Sequence, residues 1–322
     1  MPQNIPLKLP AVVWNGRYKA HAVPKQHPES SHRVDVILEA LKKNKLLSEE
    51  NGVCVWRKYS HGLRLCHSKA YVELVEKACA SLNKGEVAFL PTGDVTIVRE
   101  SFSVAQDAVS SVCLGIDLVM QGDFPSAFVV VRPPGHHAES EKGMGFCLFN
   151  NVAIGARYAQ HAWGKSRVAI IDWDLHHGNG TEEIFLKDPS ILYVSTHQRG
   201  IYPGTGQEEV RGKKGEHIIN IPIEGGPSSR SALLDFYLNE LPERLLEFKP
   251  ELILISCGFD AHKLDPLGGF TLESEDYGEM TRALVKISAS LSNCPIVSVL
   301  EGGYNLDALR ESSVAHVLGF MH

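Results

Sequence analysis

Residues Val168–Gly180 read VAIIDWDLHHGNG, an apolar run that ends in two carboxylates and two imidazoles. Val168–Ile171 is apolar at every position, the pattern of a strand buried on both faces. Alternate side chains at an extended strand end point the same way, so Asp172, Asp174 and His176 can converge on one side. An Asp-x-His pair offers one hard oxygen and one borderline nitrogen, which suits Zn2+ or a similar first-row divalent ion. The bland alternative is a polar loop of salt-bridged Asp and solvated His. Against it, so many ligand-type groups at a strand end are costly unless something binds there.

Similar runs recur at Ala11–Trp14, Ala127–Arg132, Ile191–Thr196, Ile218–Ile223, Leu252–Cys257 and Ile296–Leu300. Several are apolar on both faces. Amphipathic stretches lie between them, at Ser31–Lys43, Ser101–Met120, Ser231–Phe248 and Glu273–Leu291. This alternation predicts a three-layer α/β/α architecture with a mostly parallel sheet. No linker, low-complexity tract or internal repeat interrupts it, so residues 1–322 read as a single domain, with Met1–Pro10 as a loose arm.

The chain is 322 residues long and 43% hydrophobic, enough for a large core. A net charge of −6 with no basic block argues against direct nucleic-acid binding and is compatible with cationic substrates. The seven cysteines contain no CxxC pair and read as small buried hydrophobes in a reducing cytosol. No basic region followed by an apolar core opens the chain, and no run approaches the roughly 18 apolar residues of a membrane span. The expectation is a cytoplasmic protein with no membrane partner.

Polar residues collect just after the strands. Arg132-Pro-Pro-Gly-His136-His137 follows one, Asp172–Asn179 the next, and Ser195-Thr196-His197 ends a third. Gly258-Phe259-Asp260 and Glu301-Gly302-Gly303-Tyr304 follow two more. In open α/β sheets the binding crevice lies beyond the carboxyl ends of the strands, so one shared site is expected. A metal hydrolase needs about three protein ligands and an open position. Asp174 and His176 supply two; Asp260 is favoured as the third over Asp265, which precedes Pro266 and reads as a turn residue. Of His136 and His137, one imidazole can take a proton from attacking water and return it to a leaving amine, and Asp172 can fix the tautomer of the other. Tyr304, after paired glycines, could donate to a developing oxyanion. Phe146 and Tyr202, in Gly/Pro-rich loops, could line a narrow channel.

These segments resemble the histone deacetylase superfamily, which includes acetylpolyamine amidohydrolases and acetoin-utilisation proteins. The resemblance runs from His27 to about Asn305 through RPPGHHA, GFCLFNN, IDWDLHHGNGT, STHQ, YPGTG, GFDAHKLDPLGG and LEGGYN. It is closer to the class II type than to class I. It implies an arginase/deacetylase-like fold with one Zn2+ held by Asp174, His176 and Asp260. It also implies His137 as general base and acid, His136 with Asp172 as its electrostatic partner, and Tyr304 as the carbonyl-polarising residue. Phe146 and Tyr202 match the walls of an acyl-lysine tunnel, and the Gly145 carbonyl matches the acceptor of the substrate amide. A structural K+ or Na+ is implied at Asp172, Asp174, His176, Ser195 and Thr196, and a second at Phe185, Asp188 and Ile191. Arg33 matches a buried arginine near an acetate exit path. Asn179 stands behind His137 where class I enzymes carry Asp.

The expected activity is removal of acetyl groups from Nε-acetyl-lysine of proteins or peptides. The alternatives are deacetylation of acetylpolyamines or other small acetylated amines, and non-enzymatic acyl-lysine binding. The resemblance places Leu267 where polyamine-preferring eukaryotic members carry Glu, which favours acyl-lysine. Tyr202, where many protein deacetylases have Phe, pulls the other way.

Overall fold

A computed structural model describes residues 9–55, 59, 62–208 and 217–321. The strands are β1 (Ala11–Trp14), β2 (Gly52–Cys54), β3 (Ala88–Phe89), β4 (Thr96–Ile97), β5 (Ser126–Val129), β6 (Val168–Asp172), β7 (Ile191–Gln198), β8 (Ile218–Ile223), β9 (Leu252–Cys257) and β10 (Ile296–Leu300). Eight of them form one sheet in the order β2-β1-β5-β10-β9-β6-β7-β8, and every pairing in it is parallel. β3 and β4 form a separate antiparallel hairpin.

The helices are α1 (His32–Lys43), α2 (Lys69–Ala80), α3 (Ser101–Met120), α4 (Asn151–Trp163), α5 (Asn179–Phe185), α6 (Ser229–Asp235), α7 (Leu241–Phe248), α8 (Ser274–Ser290) and α9 (Leu306–Gly319). They cover both faces of the sheet, and strand parity separates the two layers. Ala127, Val129 and Val297 meet Gly115 of α3, while Phe128 and Ser298 meet His316 of α9 on the opposite face. The three-layer α/β/α expectation is what the chain adopts.

Three details differ from the expected elements. The run Ala127–Arg132 stops pairing as β5 at Val129, because the chain must turn into Pro133-Pro134, which have no amide hydrogen to donate. The stretch Ser231–Phe248 is α6, a π-helical turn at Phe236–Glu240, and α7. Ser101–Met120 is, on length and composition, long and apolar enough to cross a membrane; here it packs between sheet and helices with most of its surface buried. Of the expected N-terminal arm, residues 1–8 lie outside the described residues.

The sheet order determines where a site can form. β5 and β6 are consecutive in sequence, yet β10 and β9 lie between them. The loops after these four central strands therefore meet at one edge, the topological switch region where α/β sheets bind ligands.

Candidate active site

Asp172 closes β6, and the chain then turns so that its side chains accept its own amides. Asp174 N donates to Asp172 Oδ1 at 3.2 Å, and His176 N donates to Asp174 Oδ1 at 2.9 Å. Two neighbouring loops lock the turn. Leu175 N donates to Asp260 Oδ1 at 2.8 Å, and Gly302 N donates to Asp174 Oδ2 at 2.8 Å. Residue 302 must be glycine, since a Cβ there would stand 2.1 Å from Asp260 Oδ2 and 2.6 Å from Asp174 Oδ2.

Asp174, His176 and Asp260 thus meet, each offering a ligand atom within 4.8 Å of the others. His176 Nδ1 lies 3.2 Å from Asp174 Oδ1 and 3.2 Å from Asp260 Oδ2. All three residues are buried. Burial, with Asp174 beside it, pushes Asp260 up to about 7. Burial opposes a charge on His176, but hydrogen bonds to Asp174 and Asp260 raise it to about 10. Two buried carboxylates beside one imidazole form a donor set that suits zinc, and a divalent cation held there would displace the protons on His176 and Asp260. Asp265 is not among the three; its oxygens accept the amides of Leu267, Tyr304 and Asn305.

The histidine pair comes from the loop after β5. His136 Nδ1 faces Asp172 Oδ2 at 3.1 Å, and that oxygen also accepts from Tyr193 Oη at 3.0 Å. Burial opposes a charge on His136, but Asp174 and Asp172 hold its imidazole well above the ordinary range. His137 Nδ1 lies 2.9 Å from Asn179 Oδ1. The Asn179 amide nitrogen donates to Glu139 Oε1 at 2.8 Å, so its oxygen must accept from His137. His137 therefore carries its proton on Nδ1 and leaves Nε2 free as a base. Burial, then the charges of His136 and His176, push His137 well below its ordinary value. One buried carboxylate supports the whole turn: Glu301 Oε2 accepts Gly135 N at 2.6 Å and His136 N at 3.1 Å.

A cavity of about 240 Å³ opens above these groups, lined by Asp94, His137, Gly145, Phe146, His176, Tyr202, Leu267 and Tyr304. Gly145 has φ +56°, and a Cβ on it would stand 2.3 Å from His137 Cδ2. The Tyr202 ring lies 5.1 Å from that of His137, and Phe146 lies 5.9 Å from Tyr304. Leu267 is partly exposed at the lip. Burial raises the Tyr304 phenol well above its usual value, so it stays a donor at neutral pH. Arg33 lies 4.9 Å from the Tyr304 ring centroid and donates to the carbonyls of Gly303 and Glu301.

Comparison with known proteins gives this constellation a family. The model of the histone deacetylase domain matches residues 27–320. The chain belongs to the histone deacetylase family. The histone deacetylase domain here is 39% identical to the chloroplastic histone deacetylase 10 of Oryza sativa subsp. japonica, over 89% of this chain and 68% of that one. It is 34% identical to a probable deacetylase of Archaeoglobus fulgidus, over 92% of this chain and 81% of that one. The crystal structure of the HDA15 HD domain superimposes with a TM-score of 0.85 at 31% identity, covering 97% of this chain and 88% of that one.

Asp172 and Ser195 are paired neighbours on β6 and β7, while Thr196 Oγ1 meets Tyr237 Oη at 2.8 Å. Phe185, Asp188 and Ile191 share a separate turn, in which the Phe185 carbonyl accepts Asp188 N at 2.9 Å. His177 faces away from the ligand cluster, bonding Thr205 and Glu182 at 2.8 Å each. Sequence reasoning gave no role to Asp94 or Glu301. Asp94 sits in the β3–β4 turn and accepts Gly145 N at 2.9 Å across 51 residues of chain, a pairing no local pattern announces. Glu301 did carry a signal, a lone acid at the end of an apolar strand.

Proposed function

We propose that this chain is a metal-dependent amidohydrolase that removes acetyl groups from Nε-acetyl-lysine of proteins or peptides and releases acetate. Asp174, His176 and Asp260 would hold a single Zn2+, which when bound supplies Lewis acidity toward the acyl carbonyl and toward water. The remaining work belongs to the chain. His137 accepts the proton of the attacking water at Nε2 while Asn179 fixes the opposite nitrogen. His136, paired with Asp172, supplies positive charge beside the reacting carbon. The Tyr304 phenol donates to the oxyanion, and His137 then protonates the leaving amine. Phe146 and Tyr202 hold the lysine methylenes, and the Gly145 carbonyl accepts the amide N–H. Arg33 lies behind Tyr304, beside the path we assign to departing acetate. K+ or Na+ would bind at Asp172, Asp174, His176, Ser195 and Thr196, and at Phe185, Asp188 and Ile191.

The observation that carries the reading is one cavity lined by a free imidazole nitrogen, a phenol and the ligand cluster's histidine. We read residues 1–322 as one catalytic unit. Seven free cysteines, five of them buried, suit a reducing compartment such as the cytoplasm.

The second reading is deacetylation of acetylpolyamines. The Asp94 carboxylate in the pocket and the Tyr202 hydroxyl favour it; the apolar Leu267 favours acyl-lysine. The deciding experiment compares kcat/KM for an acetyl-lysine peptide panel against N-acetylputrescine and N-acetylspermidine, with and without chelator. Higher kcat/KM for the peptides is expected. A strong preference for free polyamines replaces the first reading with the second, and no hydrolysis of either after metal addition overturns both.

A further inference from the structure

We propose that Asp265 is a positioning residue for Tyr304, fixing the tyrosine and the pocket lip in one register through three backbone amides. The inference rests on the role proposed for Tyr304. Asp265 Oδ2 accepts Tyr304 N at 2.7 Å and Asn305 N at 3.3 Å, and Oδ1 accepts Leu267 N at 3.0 Å. The residue is only 7% exposed, so these bonds are partly shielded from water. Bonds from amides to a carboxylate are stronger than those to neutral acceptors.

The surroundings show why such an anchor is needed. Tyr304 is preceded by Gly302 and Gly303, the latter at φ +114°, and glycine backbone is intrinsically the loosest. Gly302 is tied at its amide to Asp174, and the Gly303 carbonyl to Arg33. Asp265 alone among the described side chains holds the amide of Tyr304 itself. It belongs to the loop after β9, where its own amide donates to the His262 carbonyl at 2.9 Å. The carboxylate therefore joins the loop that bears Asp260 and Leu267 to the loop that bears Tyr304. A purely structural role would be support for the start of α9, which Asn305 caps by accepting Ala308 N at 3.0 Å.

The test is a double-mutant cycle with Asp265→Asn and Tyr304→Phe, reading kcat, KM and bound metal on an acetyl-lysine peptide. Asp265→Asn should lower kcat at least about 10-fold, with KM moved less than about 3-fold and metal content unchanged, because small misplacements of a reacting group cost up to ~100-fold. On the Tyr304→Phe background the same change should cost less than about 3-fold, since the group it places is already gone. Unchanged kcat, equal losses on both backgrounds, or metal loss in Asp265→Asn overturns the proposal. Where Asp265→Asn does not fold, Asp265→Glu keeps the charge near α9 and is read by the same criteria. A Tyr304→Phe enzyme of full activity overturns the role of Tyr304 and this inference together. A large Tyr304→Phe loss with an additive cycle overturns this inference alone.

Discussion

Asn179 is the most direct handle on the proposed base. Its oxygen lies 2.9 Å from His137 Nδ1, so Asn179→Asp places a negative charge there with almost no change of shape. Two unit charges about 4 Å apart at an effective dielectric of about 20 interact by ~4 kcal/mol, or roughly three pKa units. The single substitution should fall short of that figure. Asn179 Nδ2 donates to Glu139 Oε1 at 2.8 Å, and a carboxylate in its place would face another carboxylate. The two acids would then share a proton, and His137 would feel only part of the new charge. Replacing Glu139 with Gln restores a donor at that contact, so Asn179→Asp with Glu139→Gln should show the larger effect. A negative neighbour favours the imidazolium, so the pKa of His137 rises and its neutral, proton-accepting form is lost from higher pH downward. The assay is the pH dependence of kcat/KM on an acetyl-lysine peptide. The acid limb of the double variant should move up by at least about one unit relative to Glu139→Gln alone, with the single variant between them. An active double variant whose acid limb stays in place would falsify the assignment of His137 as the base.

Three further outcomes are expected. Tyr304→Phe should fold normally and lose about 10²–10³ in kcat, as expected for an oxyanion donor; turnover within twofold of wild type would remove that role. Asp260→Asn should bind substoichiometric zinc by elemental analysis and show little hydrolysis after metal addition, whereas full metal content would shift the third ligand elsewhere. His316, buried between Thr281 and Ser298, is held down to about 3 by burial. The unfolded chain takes up this proton below about pH 6.5 and the folded one does not, so stability falls with falling pH by ~1.4 kcal/mol per unit for this group. His316→Gln should flatten the slope of unfolding free energy between pH 6 and 4, measured by urea denaturation; an unchanged slope would show that His316 titrates alike in both states.

The architecture was legible where burial is one-dimensional. β6, β9 and β10 are apolar on both faces, so composition alone marks them as central. Legibility ended where hydrogen bonding took over. α4 and α9 begin at Asn150 and Asn305, whose side chains cap Ala153 N and Ala308 N, but both asparagines read first as the ends of motifs. The convergence of Asp174, His176 and Asp260 was anticipated from strand-end position, which the parallel sheet preserves in space. Asp94, Asp265 and Glu301 act through bonds to amides far away in the chain, and such contacts leave no period in it. Asp265 was visible as a turn residue and as a rival ligand, but its link to Tyr304 depends on how two loops lean together.

The order of strands in the sheet also bears on how the protein is made. β5 and β6 emerge from the ribosome well before β9 and β10, yet each of the earlier strands pairs with one of the later ones. Until residue 300 has emerged, the nascent chain can build only two half-sheets with raw inner edges facing a gap. Unpaired parallel edges of this kind invite mispairing and slow assembly. The last strand thus works as a keystone, and stalled or prematurely ended chains of this protein should depend on chaperones to remain in solution.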